Sequence, residues 1–217
     1  MGDAHSSALL YQYLPADNRF QLVADDTQPR PVTAILPLDY DTFCVADRMG
    51  SVYILRLPAN VSEDLEGEIS AGAVSTRRGH LFGAPFKLER LAEFYLGDTV
   101  TWMSKSTLSL GAREVIFYGT ISGAMGFLMP FSGREDALLC QNLELALRSE
   151  SSATFVGRDH LLYRSYYAPV KSVIDGDLLE TFSLLPGDRK FYVAQAVDKA
   201  PAEIISKLQD LRITAGV

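Results

Sequence analysis

An internal repeat of short predicted strands constrains the fold of this chain most strongly. The first copy contains "PVTAILPLD", "TFCVADRMG" and "SVYILRLP", and the second contains "TVTWMSKSTLSL", "REVIFYGTISG" and "AMGFLMPF". Both are rich in β-branched and aromatic residues and are divided by turn residues. Val32-Thr33 aligns with Val100-Thr101, and "ADRMGSVYIL" aligns with "GTISGAMGFL". Each copy therefore predicts three strands, with a polar-glycine hairpin between the second and the third.

A fourth strand is predicted between the two copies, in "FKLERLAEFYLGD". A repeated unit of four antiparallel strands is typical of a β-propeller blade. Propellers usually contain about four to eight blades, so two blades do not close a ring. We therefore expect this chain to be the last part of a longer propeller, or to complete a propeller with blades from another chain.

The hydrophobic period changes near residue 134, which predicts two domains. We expect propeller blades over residues 1–133, interrupted by a flexible loop at about residues 59–84 that is rich in Glu, Ser and Gly. A helical domain is expected over residues 134–217. The fold class is therefore mainly β with α: blades of an incomplete β-propeller, followed by a small α-helical domain.

Four segments of the C-terminal half are predicted to be helical. In the first, Leu139, Leu143 and Leu147 recur at spacings of four, with Ser132 as the predicted N-cap. Pro201 suits the first turn of the last helix. The segments are "REDALLCQNLELALRSE", "GRDHLLYRSYY", "GDLLETFSLL" and "DKAPAEIISKLQDLRI".

The composition favours a soluble intracellular protein with a sizeable core. The chain is 47% hydrophobic, and its net charge of −7 argues against a broad nucleic-acid-binding surface. Cys44 and Cys140 are the only cysteines, belong to no CxxC pair, and are expected to be reduced and packed. No apolar run approaches the roughly 20 residues of a membrane span, and no secretory signal is apparent.

Three pairs of carboxylates were considered as catalytic acids and bases. They are Asp25-Asp26, Asp39/Asp41 and Asp175/Asp177. Residues this close in sequence, around a turn, usually accept hydrogen bonds from the backbone, so we interpret them as turn residues. Asp177 is interpreted as the N-cap of the helix that follows it.

The remaining candidates for chemistry are also interpreted as structural. His160 is expected to be a hydrogen-bonded structural residue, because a metal site needs further ligands. "GTISGAMG" lacks the spacing of a phosphate-binding loop and is expected to be a hairpin turn. Trp102 is expected in the core. We therefore predict no enzyme activity, no cofactor and no metal site.

The segment "RSYYAPVKSVIDGDL" is the candidate interaction site. Aromatic and arginine side chains are frequent at interface hot spots, so it is expected to dock either a protein partner or one domain on another. A purely structural role for its tyrosines, as packing residues, is an equal alternative. The candidate residues are Arg164, Tyr166, Tyr167, Lys171, Asp175 and Asp177.

Several stretches resemble the C-terminal end of the CPSF-A family of large propeller subunits. They are "LVADDTQPRPVTAILPLDYDTFCVADRMGSVYILRLP", "LRSESSATFVGRDHLLYRSYYAPVKSVIDGDLLETF" and "KLQDLR". "IDGDLLETF" is similar to the whole family, whereas "GRDHLLYRSYYAPVKSV" and "ADDTQPR" resemble its splicing branch, within splicing factor 3b. The resemblance covers nearly the whole chain after about Gln12, apart from the loop and "SLLPGDRKFYVAQAV".

This resemblance implies three seven-bladed propellers and a C-terminal helical domain, of which the chain would supply the last blades and the helices. It implies a nuclear, non-catalytic scaffold in the U2 small nuclear ribonucleoprotein, acting in branch-site recognition. The implied partners are other splicing factor 3b subunits, namely a HEAT-repeat subunit and a small clasped subunit, with at most indirect RNA contact and no membrane. A sister role is the alternative: a ubiquitin-ligase adaptor in the DNA-damage response, or a subunit of pre-mRNA 3' end processing.

Overall fold

The structure, a computed structural model, describes residues 1–5, 7–59, 61, 83–150 and 159–216. Most of the loop expected at residues 59–84 lies outside the described residues. The strands form three sheets, with orders β1-β2-β6, β3-β4-β5-β7 and β10-β9-β8. Their bounds are β1 Leu9–Leu14, β2 Arg19–Asp25, β3 Val32–Pro37, β4 Thr42–Asp47, β5 Ser51–Arg56, β6 Phe86–Lys87, β7 Glu89–Tyr95, β8 Val100–Ser106, β9 Val115–Thr120 and β10 Met125–Leu128.

The chain divides into two compact units. Unit 1 comprises Met1–Ser104, Tyr118–Met125 and Tyr167–Ser172. Unit 2 comprises Lys105–Phe117, Gly126–Tyr166 and Val173–Val217. The domain boundary expected at residue 133 stays a prediction.

The sheet β3-β4-β5-β7 has the form expected of a propeller blade. Its strands are antiparallel, and β7, predicted from "FKLERLAEFYLGD", pairs with β5 as the fourth strand. One face of this sheet carries Val45, Tyr53 and Leu55. These side chains pack against Val23 and Ala24 of the sheet β1-β2-β6. The predicted fold class, blades of an incomplete propeller followed by helices, is confirmed.

The two predicted hairpins, β4–β5 and β9–β10, are built with the same hydrogen bonds. Gly50 N–H donates to the Asp47 carbonyl at 3.3 Å, and Gly123 N–H donates to the Thr120 carbonyl at 3.1 Å. The side chains of Asp47 and Thr120 accept from the backbone N–H four residues later, at 2.9 Å and 3.2 Å. The repeat seen in the sequence is therefore also a repeat of local geometry.

Replacing either hairpin glycine by alanine is expected to be destabilising, and more so at Gly50. Gly50 and Gly123 have φ values of +89° and +85°, so each alanine costs about 1–2 kcal/mol of backbone strain. At Gly50 a Cβ would lie 3.0 Å from the backbone nitrogen of Asp98, whereas at Gly123 nothing lies within 4 Å. That clash adds about 1–3 kcal/mol to Gly50→Ala. Urea unfolding of both variants measures the difference, and equal losses would contradict the assigned packing.

A network of buried charges in unit 1 includes one residue of the blade strand β7. Arg30, 1% exposed, donates to Glu93 Oε1 at 2.7 Å and lies 3.2 Å from Asp26 Oδ2 through its Nε. Its guanidinium also lies 4.2 Å from the centre of the Tyr53 ring. A cation–π contact and a bidentate carboxylate pair are both strengthened by exclusion of water. The network joins β7 to the segment between β2 and β3.

Asp47 gives the stability of unit 1 a specific pH dependence. Burial raises the pKa of its carboxyl above the ordinary 3.8, despite opposing backbone hydrogen bonds and the nearby charge of Arg30; Glu93 raises it further. Asp47→Asn keeps an oxygen that can accept from Ser51 N–H and removes the buried charge. We expect the variant to have the higher free energy of unfolding at neutral pH.

The gain from Asp47→Asn is expected to shrink as the pH falls. Because the folded pKa exceeds the unfolded pKa, the folded state holds the proton more tightly, and wild-type stability drops as pH rises through the folded pKa. Below the unfolded pKa the two proteins should be equally stable. Denaturant unfolding at several pH values measures this, and a difference that is independent of pH would contradict it.

Unit 2 contains the helices, and the structure differs from the prediction in one N-cap and in one additional helix. The first helix begins at Arg134 with Gly133 as its N-cap and no side-chain cap, so Ser132 does not cap it. The helix Gly187–Ala196 was not predicted. The bounds are α1 Arg134–Arg148, α2 His160–Arg164, α3 Gly176–Glu180, a 3-10 turn Thr181–Leu184, α4 Gly187–Ala196 and α5 Pro201–Ala215.

The helices of unit 2 enclose their own apolar core. Leu143 and Leu147 of α1 pack with Leu178 of α3, Phe182 of the 3-10 turn and Ile204 of α5. Cys140 belongs to this core, and both cysteines are free and buried, as predicted. Across the parts of the chain that the structure describes, no helix has the length and apolarity needed to cross a membrane.

Candidate docking site

Arg164 and Asp175 form a buried ion pair inside unit 2. Arg164 Nε donates to Asp175 Oδ2 at 2.7 Å, and the two side chains are 6% and 3% exposed. Arg164 is the last residue of α2, and Asp175 immediately precedes α3. A charge-assisted hydrogen bond of this length, shielded from water, fixes the position of one helix relative to the other.

His160 and Glu144 complete this cluster. His160 Nε2 lies 3.3 Å from Asp175 Oδ2 and 3.6 Å from Glu144 Oε1. The Asp175 backbone N–H also donates to Glu144 Oε1 at 3.3 Å. Sequence reasoning missed Glu144, because it lies 31 residues before Asp175 on α1 and no local motif marks it. The structural interpretation of His160 agrees with its burial among these carboxylates.

Asp175, rather than Asp177, is the N-cap of α3. Asp175 Oδ1 accepts a hydrogen bond from Asp177 N–H at 3.1 Å, which is the contact expected of a capping side chain. The side chain of Asp177 is 81% exposed, and its carboxylate lies 4.0 Å from Arg164 Nη2. The prediction that Asp177 caps the helix is therefore wrong by two residues, because Gly176 already belongs to the first turn.

Lys171 lies in unit 1, at the edge of the blade. Its backbone exchanges two hydrogen bonds with Glu93 of β7, both at 2.9 Å, and its Nζ donates to the carbonyl of Arg90. The segment around Lys171 therefore adds one antiparallel pair to the outer strand. Glu93 takes part twice, since its carboxylate holds Arg30 and its backbone holds Lys171.

Tyr166 and Tyr167 are the exposed aromatic members of the candidate set. Their side chains are 63% and 46% exposed, and Lys171 is exposed a few residues later. All three residues are exposed, although Lys171 Nζ also donates to the Arg90 carbonyl, whereas Arg164 and Asp175 are buried in unit 2. The interaction role of the set stays a prediction, and its exposed members are Tyr166, Tyr167, Lys171 and Asp177.

The other carboxylate pairs have turn and ion-pair roles. Asp26 Oδ1 accepts from the N–H groups of Thr27 and Gln28, and Asp39 Oδ1 accepts from Tyr40 N–H. Asp41 is buried instead against Arg56, at 2.9 Å. Burial alone would raise the Asp41 pKa, but hydrogen bonds from Thr42 and Arg56 outweigh it, so the pKa is lowered.

Comparison with known proteins assigns the family. The CPSF A subunit region matches residues 1–184. The chain is 42% identical over 212 residues to the probable splicing factor 3B subunit 3 of Dictyostelium discoideum. It is 41% identical to spliceosome-associated protein 130 A of Arabidopsis thaliana and 42% identical to pre-mRNA-splicing factor RSE1 of Mycosarcoma maydis.

In each of these three comparisons, the match covers 98% of this chain and 17% of the relative. The chain therefore spans about a sixth of the length of the curated relatives that it matches. The resemblance to the splicing branch, drawn from its motifs, is confirmed, and this chain belongs to the family of the CPSF A subunit region.

Proposed function

We propose that this chain acts as a non-catalytic scaffold in splicing factor 3b, within the U2 small nuclear ribonucleoprotein of the nucleus. The observation that carries the proposal is identity of about 40% along nearly the whole chain with relatives named as splicing factor 3B subunit 3. The proposed process is pre-mRNA splicing, at the step of branch-site recognition.

The buried charges support a scaffold role. Arg30 is neutralised by Glu93 and Asp26, and Arg164 is neutralised by Asp175. Carboxylates and guanidinium groups that are paired in this way hold segments of the chain together. A catalytic acid or base would instead need access to a substrate.

Partner binding is assigned to the exposed segment from Tyr166 to Lys171. Two neighbouring exposed tyrosines and a lysine provide apolar area and hydrogen-bond donors, a combination that is common in protein interfaces. The proposed partners are the HEAT-repeat subunit and the small clasped subunit, and RNA contact is at most indirect.

Affinity purification from nuclear extract tests the function. A tagged chain, purified gently from its native cells, is expected to bring down the other splicing factor 3b subunits together with U2 RNA. Mass spectrometry and RNA sequencing identify the bound components. Recovery of a cullin-containing complex or of polyadenylation factors would instead support the alternative role in the DNA-damage response or in 3' end processing. Recovery of none of these assemblies would contradict the proposal.

A matched pair of tyrosine variants tests the assigned surface. Tyr166→Ala combined with Tyr167→Ala is expected to lower recovery of the splicing subunits by about tenfold, the effect of losing a hot spot. Tyr192→Ala is the control, because Tyr192 on α4 is exposed to a similar extent, at 62%. Equal recovery from the double variant and from Tyr192→Ala would show that Tyr166 and Tyr167 are not part of the interface. It would not contradict the proposed scaffold function.

A further inference from the structure

A shallow pocket lies at the corner where α4 ends and α5 begins, within unit 2. Its volume is about 540 Å³, and the residues that line it include Phe191, Gln195, Asp198, Pro201 and Glu203. Ligand pockets have volumes of about 300–1,000 Å³, so this one has room for a side chain from another molecule. The corner lies beyond residues 1–184, which match the CPSF A subunit region, so the family match does not account for it.

Phe191 gives the pocket an aromatic wall that is open to solvent. Phe191 is 68% exposed, and Gln195 lies four residues later on the same face of α4. The opposite face of the helix carries the buried Val193 and packs into the core of unit 2. The ring of Phe191 is therefore free of that core, and a cation could lie against its face.

The charges around the pocket are unequal, with an excess of carboxylates. Lys199 Nζ donates a hydrogen bond to Glu203 Oε1, so these two charges compensate each other. Asp198 is exposed and forms no ion pair among the residues that the structure describes. The pKa of Lys199 is raised by the hydrogen bond and charge of Glu203, and further by the charges of Asp198 and Glu135. The corner should therefore attract a cation and repel a phosphate group.

Asp198 occupies a backbone position that is usually held by glycine. Its φ is +53°, its N–H donates to the Gln195 carbonyl at 3.2 Å, and Lys199 N–H donates to the Ala194 carbonyl at 3.0 Å. These two bonds form a Schellman motif, in which the residue with positive φ is most often glycine. Both bonds are made by backbone atoms, so the turn does not depend on the carboxylate of Asp198.

We propose that this pocket binds an arginine side chain of a partner protein, with the guanidinium group against the Phe191 ring and paired with the Asp198 carboxylate. Arginine fits this combination because its planar cation stacks on aromatic rings and presents several N–H donors to a carboxylate. Its methylene groups can lie against apolar wall residues such as Pro201. Lysine fits less well, because its ammonium group is compact and strongly hydrated. The proposal goes beyond the proposed function and does not depend on it.

Titration of the full chain with a model peptide tests the chemistry of the pocket. The probe is the tripeptide acetyl-Gly-Arg-Gly-amide, followed by two-dimensional nuclear magnetic resonance of the backbone amides. We expect saturable shifts that are centred on residues 191–203. Matched peptides carry lysine or citrulline in place of arginine. Both should bind several-fold more weakly, because citrulline lacks the charge and lysine lacks the planar group.

A pair of neighbouring aromatic variants tests the wall of the pocket. Phe191→Ala is expected to weaken binding of the arginine peptide by about two- to fivefold, the effect of losing an exposed cation–π contact. Tyr192→Ala is the matched control, because Tyr192 is 62% exposed on the same helix but does not line this pocket. Its affinity for the peptide should be that of the wild-type chain.

Two variants of Asp198 separate binding from stability. Asp198→Asn removes the charge, and Asp198→Gly removes the side chain, so both should weaken binding of the arginine peptide. Asp198→Gly is also expected to raise the melting temperature, because glycine adopts a positive φ without steric cost. A residue that served the fold alone would show no such loss of binding in a protein of higher stability.

Site-specific photocrosslinking identifies the occupant in the native assembly. Gln195 is replaced by p-benzoylphenylalanine in the tagged full chain, and crosslinked peptides are identified by mass spectrometry. We expect them to come from another protein and to contain arginine close to the crosslinked residue. The same replacement at Tyr192 is the control, and its yield should be several-fold lower.

Several outcomes would overturn the proposal. In the titration they are no saturable shift, shifts centred outside residues 191–203, equal affinity for the lysine or citrulline peptide, or unchanged affinity in Phe191→Ala or Asp198→Asn. In the crosslinking they are products with RNA, with a second copy of this chain, or none at position 195. Splicing subunits recovered without a crosslink at position 195 would leave the proposed function intact and overturn only the arginine pocket.

Discussion

Replacing Arg30 by alanine is expected to destabilise unit 1 by about 3–5 kcal/mol, the usual loss when one partner of a buried ion pair is removed. Arg30 is 1% exposed and its guanidinium faces Glu93 and Asp26. Without it, two carboxylates are left in a site that water does not reach, and the cation–π contact with Tyr53 is lost as well. Urea unfolding of the full chain measures the change in the free energy of unfolding.

Arg19→Ala is the matched control for this effect. Arg19 pairs with Asp17 at 3.0 Å, but the two side chains are 65% and 55% exposed. Exposed pairs of this kind contribute about 0–1 kcal/mol. Adding Glu93→Gln to Arg30→Ala should recover part of the loss, because it removes a buried carboxylate that would keep only its ion pair with the half-buried Arg90 among the contacts described. Similar losses for Arg19→Ala and Arg30→Ala would contradict the buried network.

The features that were predicted correctly from the sequence depend on local chemistry. The hairpins were predicted because a glycine with positive φ is needed at a fixed place in each turn, and Gly50 and Gly123 have that geometry. The blade was predicted because strand composition and turn spacing recur within the chain. The last helix was predicted from Pro201 and the apolar residues that follow it.

The missed features depend on contacts between distant residues. Arg30 and Glu93 are 63 positions apart, and no spacing rule connects them. The helix Gly187–Ala196 was missed because its apolar residues do not mark one face: Phe191 and Tyr192 are exposed, while Val193 and Ala194 are buried. A local sequence pattern does not predict which two distant charges form a pair. It also does not predict which face of a helix is buried when that burial depends on residues far away in the sequence.

Trp102 shows the same limit at the level of a single strand. Alternation in β8 predicts that Trp102 and Met103 point to opposite faces, but it does not say which face is covered. The structure supplies that information: Met103 is 8% exposed and Trp102 is 56% exposed, so the prediction that Trp102 lies in the core is wrong. The candidate site shows the same limit. Its residues were predicted from residue type, and only the structure shows that Asp175 is buried whereas Asp177 is exposed.

Asp175→Ala is expected to destabilise unit 2 by about 3–5 kcal/mol, because it leaves Arg164 buried without its 2.7 Å partner. It also removes the cap of α3, which is worth about 1 kcal/mol on its own. Asp177→Ala is the control and should cost less than about 1 kcal/mol. The Asp177 side chain is 81% exposed, and its carboxylate lies as far as 4.0 Å from Arg164 Nη2. Thermal and urea unfolding of the full chain measure both losses.

Asp175→Asn separates the two roles of Asp175. The amide oxygen can still accept from Asp177 N–H, so the cap is kept, while the charge opposite Arg164 is lost. An intermediate loss, larger than that of Asp177→Ala and smaller than that of Asp175→Ala, is therefore expected. If Asp177→Ala proved as destabilising as Asp175→Ala, the cap and the ion pair would both be wrongly assigned to Asp175, and the neighbouring carboxylate would be the one that holds α2 to α3.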